Sequence, residues 1–340
     1  MLKMNLGLKV CSLLAFLQIL STVSGFNSCQ RDEKCVRLYL CPHLYHFALD
    51  ERIAHIQCGI DNTANLVDQR IYVCCPEPGN VLPDDKTCGW RPGAHRIFGG
   101  VEAQPNEFPW MALLLDKEGK GVCGGSLINN RYVVTAAHCV SRVKIYNVRL
   151  GEHDMSSDPD IILNKNEAPR WAAPHLEIEV ENIVVHRDFQ HTPMQNDIAL
   201  IRLILPVRYT KEIRPICVLG SHISLMNSTF HPKFEIAGWG TTESNNNSNV
   251  LLTATIKKDK NKCPKRHKYL KETQICAGEN GTDTCFGDSG GPLMGTMIRY
   301  RQEIVYLAGI TSHGDNKCGQ AGVYTKMESY IYWVLYFLRA

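Results

Sequence analysis

The stretch GDSGGP, from Gly287 to Pro292, decides the fold of this chain and indicates its chemistry. Glycines flank Ser289, and the acidic residue Asp288 precedes it directly. Glycine lets the backbone turn tightly, so that neighbouring amide N–H groups can converge on one point and stabilise a developing negative charge. The hexapeptide is therefore typical of a loop that presents a serine as a nucleophile.

A serine is a weak nucleophile at neutral pH, so a base and an orienting acid are expected elsewhere in the chain. The motif TAAHC supplies His138, and the motif NDIAL supplies Asp197. A single serine, or one of 13 histidines, is by itself an ordinary surface or structural residue. The three motifs together, in the order His, Asp, Ser, make that interpretation untenable and predict a catalytic triad.

In this order the motifs resemble those of the trypsin-like serine proteases, the chymotrypsin class. The resemblance implies an all-β, chymotrypsin-like fold over residues 97–340, with two six-stranded β-barrels and a C-terminal helix. It also implies a serine endopeptidase with His138, Asp197 and Ser289 as catalytic residues, and with the backbone N–H groups of Gly287 and Ser289 as the oxyanion hole. The many short strand-like runs, separated by turn residues, favour the same all-β class.

The substrate pocket takes its residues from the same resemblance. Asp283, six residues before the nucleophile, would lie at the base of the primary pocket and pair with a substrate Arg or Lys. Such a carboxylate rejects uncharged side chains, because they would leave it buried and unpaired. The other predicted pocket residues are Ser312, Gly314 and Gly322, with His313 at a position where relatives usually carry an aromatic side chain.

The segment RIFGG, at Arg96–Gly100, resembles the activation sequence of these proteases. Cleavage after Arg96 would free the ammonium group of Ile97, which would pair with Asp288 and order the oxyanion hole and the pocket. A buried carboxylate without a partner is costly, so the uncut chain would be an inactive zymogen.

The first 25 residues predict a secretory signal peptide. Two lysines precede an apolar run from Val10 to Leu20, and small residues follow up to Gly25. The run is too short to span a bilayer, and no later segment is long enough, so we expect a secreted, extracellular protein without a membrane span. One of the 15 cysteines lies in this leader, and the even number that remains fits an oxidising compartment. The sequons predict glycosylation at Asn227, Asn246 and Asn280.

Residues 26–76 contain six cysteines in the pattern CX5CX5C, one further cysteine and an adjacent pair. So short a segment cannot bury a sufficient apolar core, and disulfides would have to stabilise it. The block resembles a clip domain, which occurs in arthropod extracellular serine proteases. Six cysteines alone do not fix their connectivity, but the resemblance implies the pairs Cys29–Cys74, Cys35–Cys58 and Cys41–Cys75. Residues 77–96 follow as a Pro-rich linker and activation segment with little to bury.

The remaining cysteines lie outside the clip block. The protease resemblance implies the pairs Cys123–Cys139, Cys263–Cys276 and Cys285–Cys318. Cys88 and Cys217 are then left over, and a disulfide between them would keep the clip fragment attached to the protease after activation cleavage.

A group of acidic residues follows the motif RLG. Hard oxygen ligands clustered in this way can bind Ca²⁺, and some relatives bind it here, so Glu152, Asp154 and Asp160 are candidate ligands of a structural ion. A solvated acidic loop without a metal fits the sequence equally well. No cofactor is expected for catalysis, and the formal net charge of +3 gives no indication of nucleic-acid binding.

Together the two resemblances predict the secreted zymogen of a trypsin-like endopeptidase in an extracellular cascade, serving innate immunity (Toll signalling or melanisation) or development. Its partners would be an upstream activating protease, a protein substrate such as a downstream zymogen or pro-ligand, and a serpin-type inhibitor. The alternative is a catalytically silent clip-domain homologue that acts as a cofactor or adaptor. Such homologues usually carry glycine in place of the nucleophile, whereas Ser289 is present here. A digestive trypsin would have no use for the clip block.

Overall fold

Two compact units, Met1–Glu77 and Pro78–Ala340, make up the chain. The computed structural model describes residues 28–29, 33–41, 57–66, 70–76, 79–91, 101–162, 169–220, 228–240, 248–258, 270–278, 288–314 and 321–338.

The first unit contains a three-stranded antiparallel sheet with β3 in its centre. Its strands are β1 (Glu33–Arg37), β2 (Gln57–Ile60) and β3 (Ile71–Pro76), and a 3-10 helix, Leu38–Leu40, follows β1. The buried apolar side chains in this part of the described chain are few, with Leu38 and Val73 at their centre. Disulfides therefore supply much of what holds the unit together.

The disulfides of this unit are Cys29–Cys74, Cys35–Cys58 and Cys41–Cys75, the pairs that the resemblance implies. Cys74 and Cys75 are successive residues of the central strand β3. Successive side chains of a strand point to opposite faces of the sheet, so the adjacent cysteines link both faces of the sheet to the surrounding chain.

The second unit is built from antiparallel strands with few helices. Its strands are β4 (Val101–Glu102), β5 (Met111–Leu115), β6 (Gly121–Leu127), β7 (Tyr132–Thr135), β8 (Asn147–Leu150), β9 (Ile161–Ile162), β10 (Arg170–Trp171), β11 (Leu176–Val185), β12 (Gln190–His191), β13 (Met194–Gln195), β14 (Ala199–Leu203), β15 (Thr229–Gly238), β16 (Leu252–Lys258), β17 (Gln274–Gly278), β18 (Pro292–Arg299), β19 (Gln302–His313) and β20 (Gly322–Lys326). Its helices are α1 (Ala137–Arg142), a 3-10 turn (Met327–Tyr330) and α2 (Ile331–Phe337).

Two barrels result from the pairing of these strands. The first closes in the order β11-β14-β7-β6-β5-β8. The second runs β15-β18-β19-β20-β17-β16 and closes through the pairing of β15 with β16, while β4 adds to the outer edge of β16. The predicted pair of six-stranded barrels with a C-terminal helix is therefore confirmed. No helix among the described residues is long and apolar enough to cross a membrane.

The largest apolar core fills the first barrel and continues into the second. Trp110 and Leu114 lie at its centre, fully buried, and Met294 of β18 receives the Trp110 indole N–H at 3.1 Å. The 3-10 turn and α2 join the same core through Tyr330 and Val334. Because one core spans both barrels, their relative position is fixed by close packing.

The segment 79–91 packs against the rest of the second unit, and the expectation that this linker buries little is wrong for these residues. Leu82 and Cys88 are 3% and 1% exposed. The Asn129 side-chain amide donates to the carbonyl oxygens of Gly79 and Val81. The sequence expectation rested on the proline content of the segment, and proline is no obstacle to packing when side chains supply the hydrogen bonds that an extended backbone needs.

A disulfide and a buried ion pair anchor the end of this segment. Cys88 is bonded to Cys217, as the left-over cysteines suggested. The Arg91 guanidinium, 4% exposed, contacts the Glu235 carboxylate at 2.8 Å and the Glu303 carboxylate at 3.1 Å. The ring of Phe108 lies 5.6 Å from the guanidinium carbon of Arg91. Arg91 thus joins β15 and β19 to the segment that leads toward Arg96.

Arg91→Leu is expected to destabilise the folded protein by about 3 kcal/mol, because it leaves two partly buried carboxylates without their shared cation. The measurement is the melting temperature of the full chain. Arg187→Leu is the matched control: its side chain is 90% exposed beside Asp188, and we expect a change within about 0.5 kcal/mol. Equal losses in the two variants would contradict the anchoring role of Arg91.

Candidate active site

Helix α1 carries His138 into the interior. Strand β7 ends at Thr135, and α1 begins two residues later, so that His138 lies in the first helical turn and is 5% exposed. The first backbone N–H groups of a helix lack partners inside the helix. Here the His138 N–H donates to Asp197 Oδ1 at 2.9 Å, and His138 Nδ1 lies 2.8 Å from Asp197 Oδ2.

Asp197 is 1% exposed, and its hydrogen bonds come from both barrels. The Ser312 hydroxyl, at the end of β19, donates to Oδ2 at 2.6 Å, and the Thr325 hydroxyl, on β20, donates to the Asp197 backbone oxygen at 2.8 Å. Burial by itself disfavours the ionised carboxylate, but the hydrogen bonds and charge of His138 and the bond from Ser312 outweigh it and hold the pKa of Asp197 below its ordinary value. Asp197 is therefore ionised at neutral pH.

The nucleophile loop lies against the first barrel next to the start of α1. Ser289 accepts the Gly124 N–H at its backbone oxygen, at 2.8 Å, and the Gly290 N–H donates to Thr311. Gly290 has φ +79°, and a Cβ placed there would lie 2.2 Å from Thr135 Oγ1 and 2.5 Å from the Gly124 oxygen. Only glycine allows this approach. Gly287, the other predicted oxyanion donor, lies outside the described residues.

Asp288 lies in a niche lined by glycines. The Gly240 N–H donates to Asp288 Oδ1 at 2.9 Å. A Cβ at Gly238 would lie 2.0 Å from the same oxygen, and one at Gly240 would lie 2.6 Å from it. The close approach of this backbone to the carboxylate explains the glycines on both sides of Trp239. The other predicted activation residues, Arg96 and Ile97, lie outside the described residues.

The predicted pocket is described in part. Ser312 is buried at the end of β19, Gly314 follows in an exposed position, and Gly322 begins β20 beside it. Asp283 lies outside the described residues, as do the glycosylation candidates Asn227, Asn246 and Asn280. Among the predicted disulfides, Cys123–Cys139 joins β6 to α1. Cys276 is disulfide-bonded, and Cys263, Cys285 and Cys318 lie outside the described residues.

The acidic residues after β8 lie together, but donors from the protein surround their carboxylates. Glu152 is paired with Arg149 at 2.9 Å and accepts the His153 N–H, and burial raises the pKa of Glu152. Asp160 accepts N–H groups of His153 and Asp154, and Asp154 accepts from Ser156. Glu152, Asp154 and Asp160 do not place one oxygen each within 4.8 Å of one another. Calcium binding stays a prediction.

Sequence reasoning missed the residues that support Asp197 from the C-terminal part of the chain. Thr325 is one of them. Tyr330 is a second, because its hydroxyl donates to Asn196 Oδ1 at 2.8 Å, while Asn196 Nδ2 donates to the Asp188 oxygen. Asn196 has φ +49°, a conformation that asparagine tolerates better than most residues. The tolerance of asparagine for this conformation is the one signal in the sequence that could have indicated these contacts. Thr325 and Tyr330 lie more than a hundred residues away in the chain from the residues they contact.

Comparison with known proteins gives the same class. The family model described as Trypsin matches residues 97–334, and the chain belongs to this family. It is 36% identical to the Spaetzle-processing enzyme of Drosophila melanogaster, with 91% of each chain covered. It is 35% identical to Melanization protease 1 of the same species, with 88% of this chain and 89% of the relative covered.

Among solved structures, the Drosophila Grass clip serine protease of the Toll pathway matches with a TM-score of 0.63 and 29% identity, covering 88% of this chain and 89% of that one. The chain is a clip-domain serine protease, and its second unit is a trypsin-like endopeptidase.

The hydrogen bond between His138 and Asp197 fixes the tautomer of the imidazole. A carboxylate can only accept hydrogen bonds, so His138 Nδ1 carries the hydrogen and Nε2 presents the lone pair of a base. We propose that His138 Nε2 would take the proton of Ser289 Oγ as that oxygen attacks a peptide carbonyl, and would then give it to the leaving amine. Asp197 would hold this tautomer and stabilise the imidazolium that forms in between.

Gly290→Ala is expected to lower kcat/KM of the activated protease by about 10²-fold, because the new Cβ displaces the nucleophile loop from Thr135. Gly119→Ala is the matched control. Gly119 also has a positive φ, +76°, but nothing lies within 4 Å of a Cβ placed there. The alanine at position 119 would cost only the backbone strain, about 1–2 kcal/mol of stability, and this variant should keep its activity. An active Gly290→Ala enzyme would contradict the packing described here.

Proposed function

We propose that the chain is the secreted zymogen of a protease that acts in an extracellular cascade, is activated by cleavage between Arg96 and Ile97, and cuts after Arg or Lys. The names of its relatives refer to processing of Spaetzle and to melanization, which supports a protein substrate such as a pro-ligand or a downstream zymogen. An upstream activating protease and a serpin-type inhibitor are the other proposed partners.

The anchored segment 79–91 is the observation that carries the zymogen proposal. It ends at Arg91, five residues before Arg96. The Cys88–Cys217 disulfide and the Arg91 ion pairs hold it on the protease unit. Cleavage after Arg96 would therefore leave the preceding chain covalently attached, while the new amino terminus is free to move.

The niche around Asp288 supports the proposed activation step. Its carboxylate is held against the backbone at Gly238 and Gly240 inside the second unit. An ammonium group at Ile97 would give this partly buried carboxylate a charged partner that also donates hydrogen bonds. Pairing there would set the conformation of the loop that leads into Ser289.

The hydrogen-bonded Asp197 and the presence of Ser289 argue against a catalytically silent homologue. Here the carboxylate accepts from His138 and Ser312, and Ser289 is retained. For specificity, Asp283 remains the residue proposed to pair with a substrate Arg or Lys.

Limited trypsin digestion of the full chain tests the proposal. We expect cleavage after Arg96 to create activity toward an Arg peptide but not toward its Leu analogue, and Asp283→Ser to erase that preference. The two fragments should separate on a denaturing gel only after reduction.

Arg96→Gln is the control for the site of activation, and Cys88→Ser with Cys217→Ser is the control for the tether. The first should stay inactive after digestion, and the second should release its fragment without reductant. Full activity of digested Arg96→Gln would refute activation at this bond.

A further inference from the structure

His313 is the last residue of β19 and follows Ser312 directly. It is partly buried, and on the neighbouring strand it faces Val323 of β20. Its Nδ1 lies 3.1 Å from Ser312 Oγ. Ser312 donates to Asp197, and His313 is a second imidazole beside that bond.

The donor and the acceptor of the contact between Ser312 Oγ and His313 Nδ1 follow from the other hydrogen bond of Ser312. Ser312 Oγ lies 2.6 Å from Asp197 Oδ2, a short, charge-assisted bond to an ionised acceptor that cannot donate. A hydroxyl has a single hydrogen, so the hydrogen of Ser312 is committed to Asp197. The contact with His313 therefore requires that Nδ1 carries a hydrogen and donates it to Ser312 Oγ. His313 is either the Nδ1–H tautomer or an imidazolium.

We propose that His313 is a positioning residue for the catalytic aspartate, acting through Ser312. Its Nδ1–H fixes the orientation of the Ser312 hydroxyl and polarises it toward Asp197, since hydrogen bonds in a chain strengthen one another. Asp197 then lies between two imidazoles: His138 donates to it directly, and His313 donates to it through Ser312.

This arrangement couples the two histidines. Protonated His313 would bring a positive charge toward the carboxylate that stabilises the His138 imidazolium, so each cation disfavours the other. The titratable groups that face this chain of hydrogen bonds, among the described residues, are Asp197, His138 and Tyr330. The phenol of Tyr330 has its pKa raised by burial and further by the Asp197 charge, so it stays neutral in the range where imidazoles titrate. The residue paired with His313 on β20 is apolar Val323.

Two substitutions at position 313 distinguish the effect of the hydrogen bond from the effect of the planar ring. Asparagine at position 313 can place its Nδ2 near the position of Nδ1, and it donates but does not titrate. Phenylalanine keeps a planar ring but neither donates nor titrates. His313→Phe is expected to lower kcat about three- to tenfold with little change in KM, the effect of losing one hydrogen bond. His313→Asn is expected to keep kcat close to that of the wild type.

The pH profile of kcat/KM is the decisive readout. In the wild type, kcat/KM should decrease toward low pH as two coupled groups, His138 and His313, become protonated. In both variants, kcat/KM should decrease with the protonation of His138 alone. A structural role of His313 alone would not change this decrease toward low pH. Wild-type kcat and an unchanged decrease in His313→Phe would overturn the proposal, and so would a change confined to KM, which would make His313 a contact for substrate.

These measurements rest on the proposed activation at Arg96, and a second readout does not. In the uncut full chain carrying Ser289→Ala, proton NMR can follow the His138 Nδ1–H resonance with pH. We expect two inflections, of which His313→Asn removes one. A single inflection in both proteins would overturn the coupling. Inactivity of the digested wild type with two inflections in the uncut chain would count against activation at Arg96 and not against His313.

Discussion

The buried carboxylate of Asp197 is the interaction on which the rest of the protease unit depends. An ionised group with almost no exposure to water is tolerated only if donors replace the lost hydration. The donors to the carboxylate come from α1 in the first barrel and from β19 in the second, while Thr325 of β20 donates to the backbone oxygen of the same residue. The first barrel supplies His138, and the second barrel supplies the hydroxyl of Ser312, so the full set of donors to this carboxylate requires that the shared apolar core hold the two barrels in position.

The nucleophile loop also depends on contacts between the two barrels. Ser289 belongs to the loop before β18, yet its backbone is bonded to Gly124 of β6, and Gly290 fits between Thr135 and Gly124. His138, Asp197 and Ser289 therefore lie where the two barrels meet. Segment 79–91 is held to the two barrels through Cys217, Glu235 and Glu303, so the chain that continues to Arg96 starts from a fixed point.

The sequence was sufficient for those features that short motifs encode. TAAHC, NDIAL and GDSGGP predicted, by resemblance, the two barrels and the pairing of His138 with Asp197, because a nucleophile loop and a helix start need particular residues at particular spacings. The role of Ser289 as the nucleophile stays a prediction. Thr325, Tyr330 and the Arg91 ion pairs were not predictable, since each depends on residues more than a hundred positions apart. The buried Leu82 was missed because proline content indicates an extended backbone and gives no information on what that backbone packs against.

Covalent labelling with diisopropyl fluorophosphate tests the central claim, that Asp197 and His138 activate Ser289. The reagent forms a bond from phosphorus to a nucleophilic serine oxygen and releases fluoride, and mass spectrometry of peptides locates it. After cleavage at Arg96 the account predicts a label on Ser289, formed orders of magnitude more slowly in Asp197→Asn, which holds the wrong tautomer of His138. A label on another serine, or equal rates in the two proteins, would contradict it.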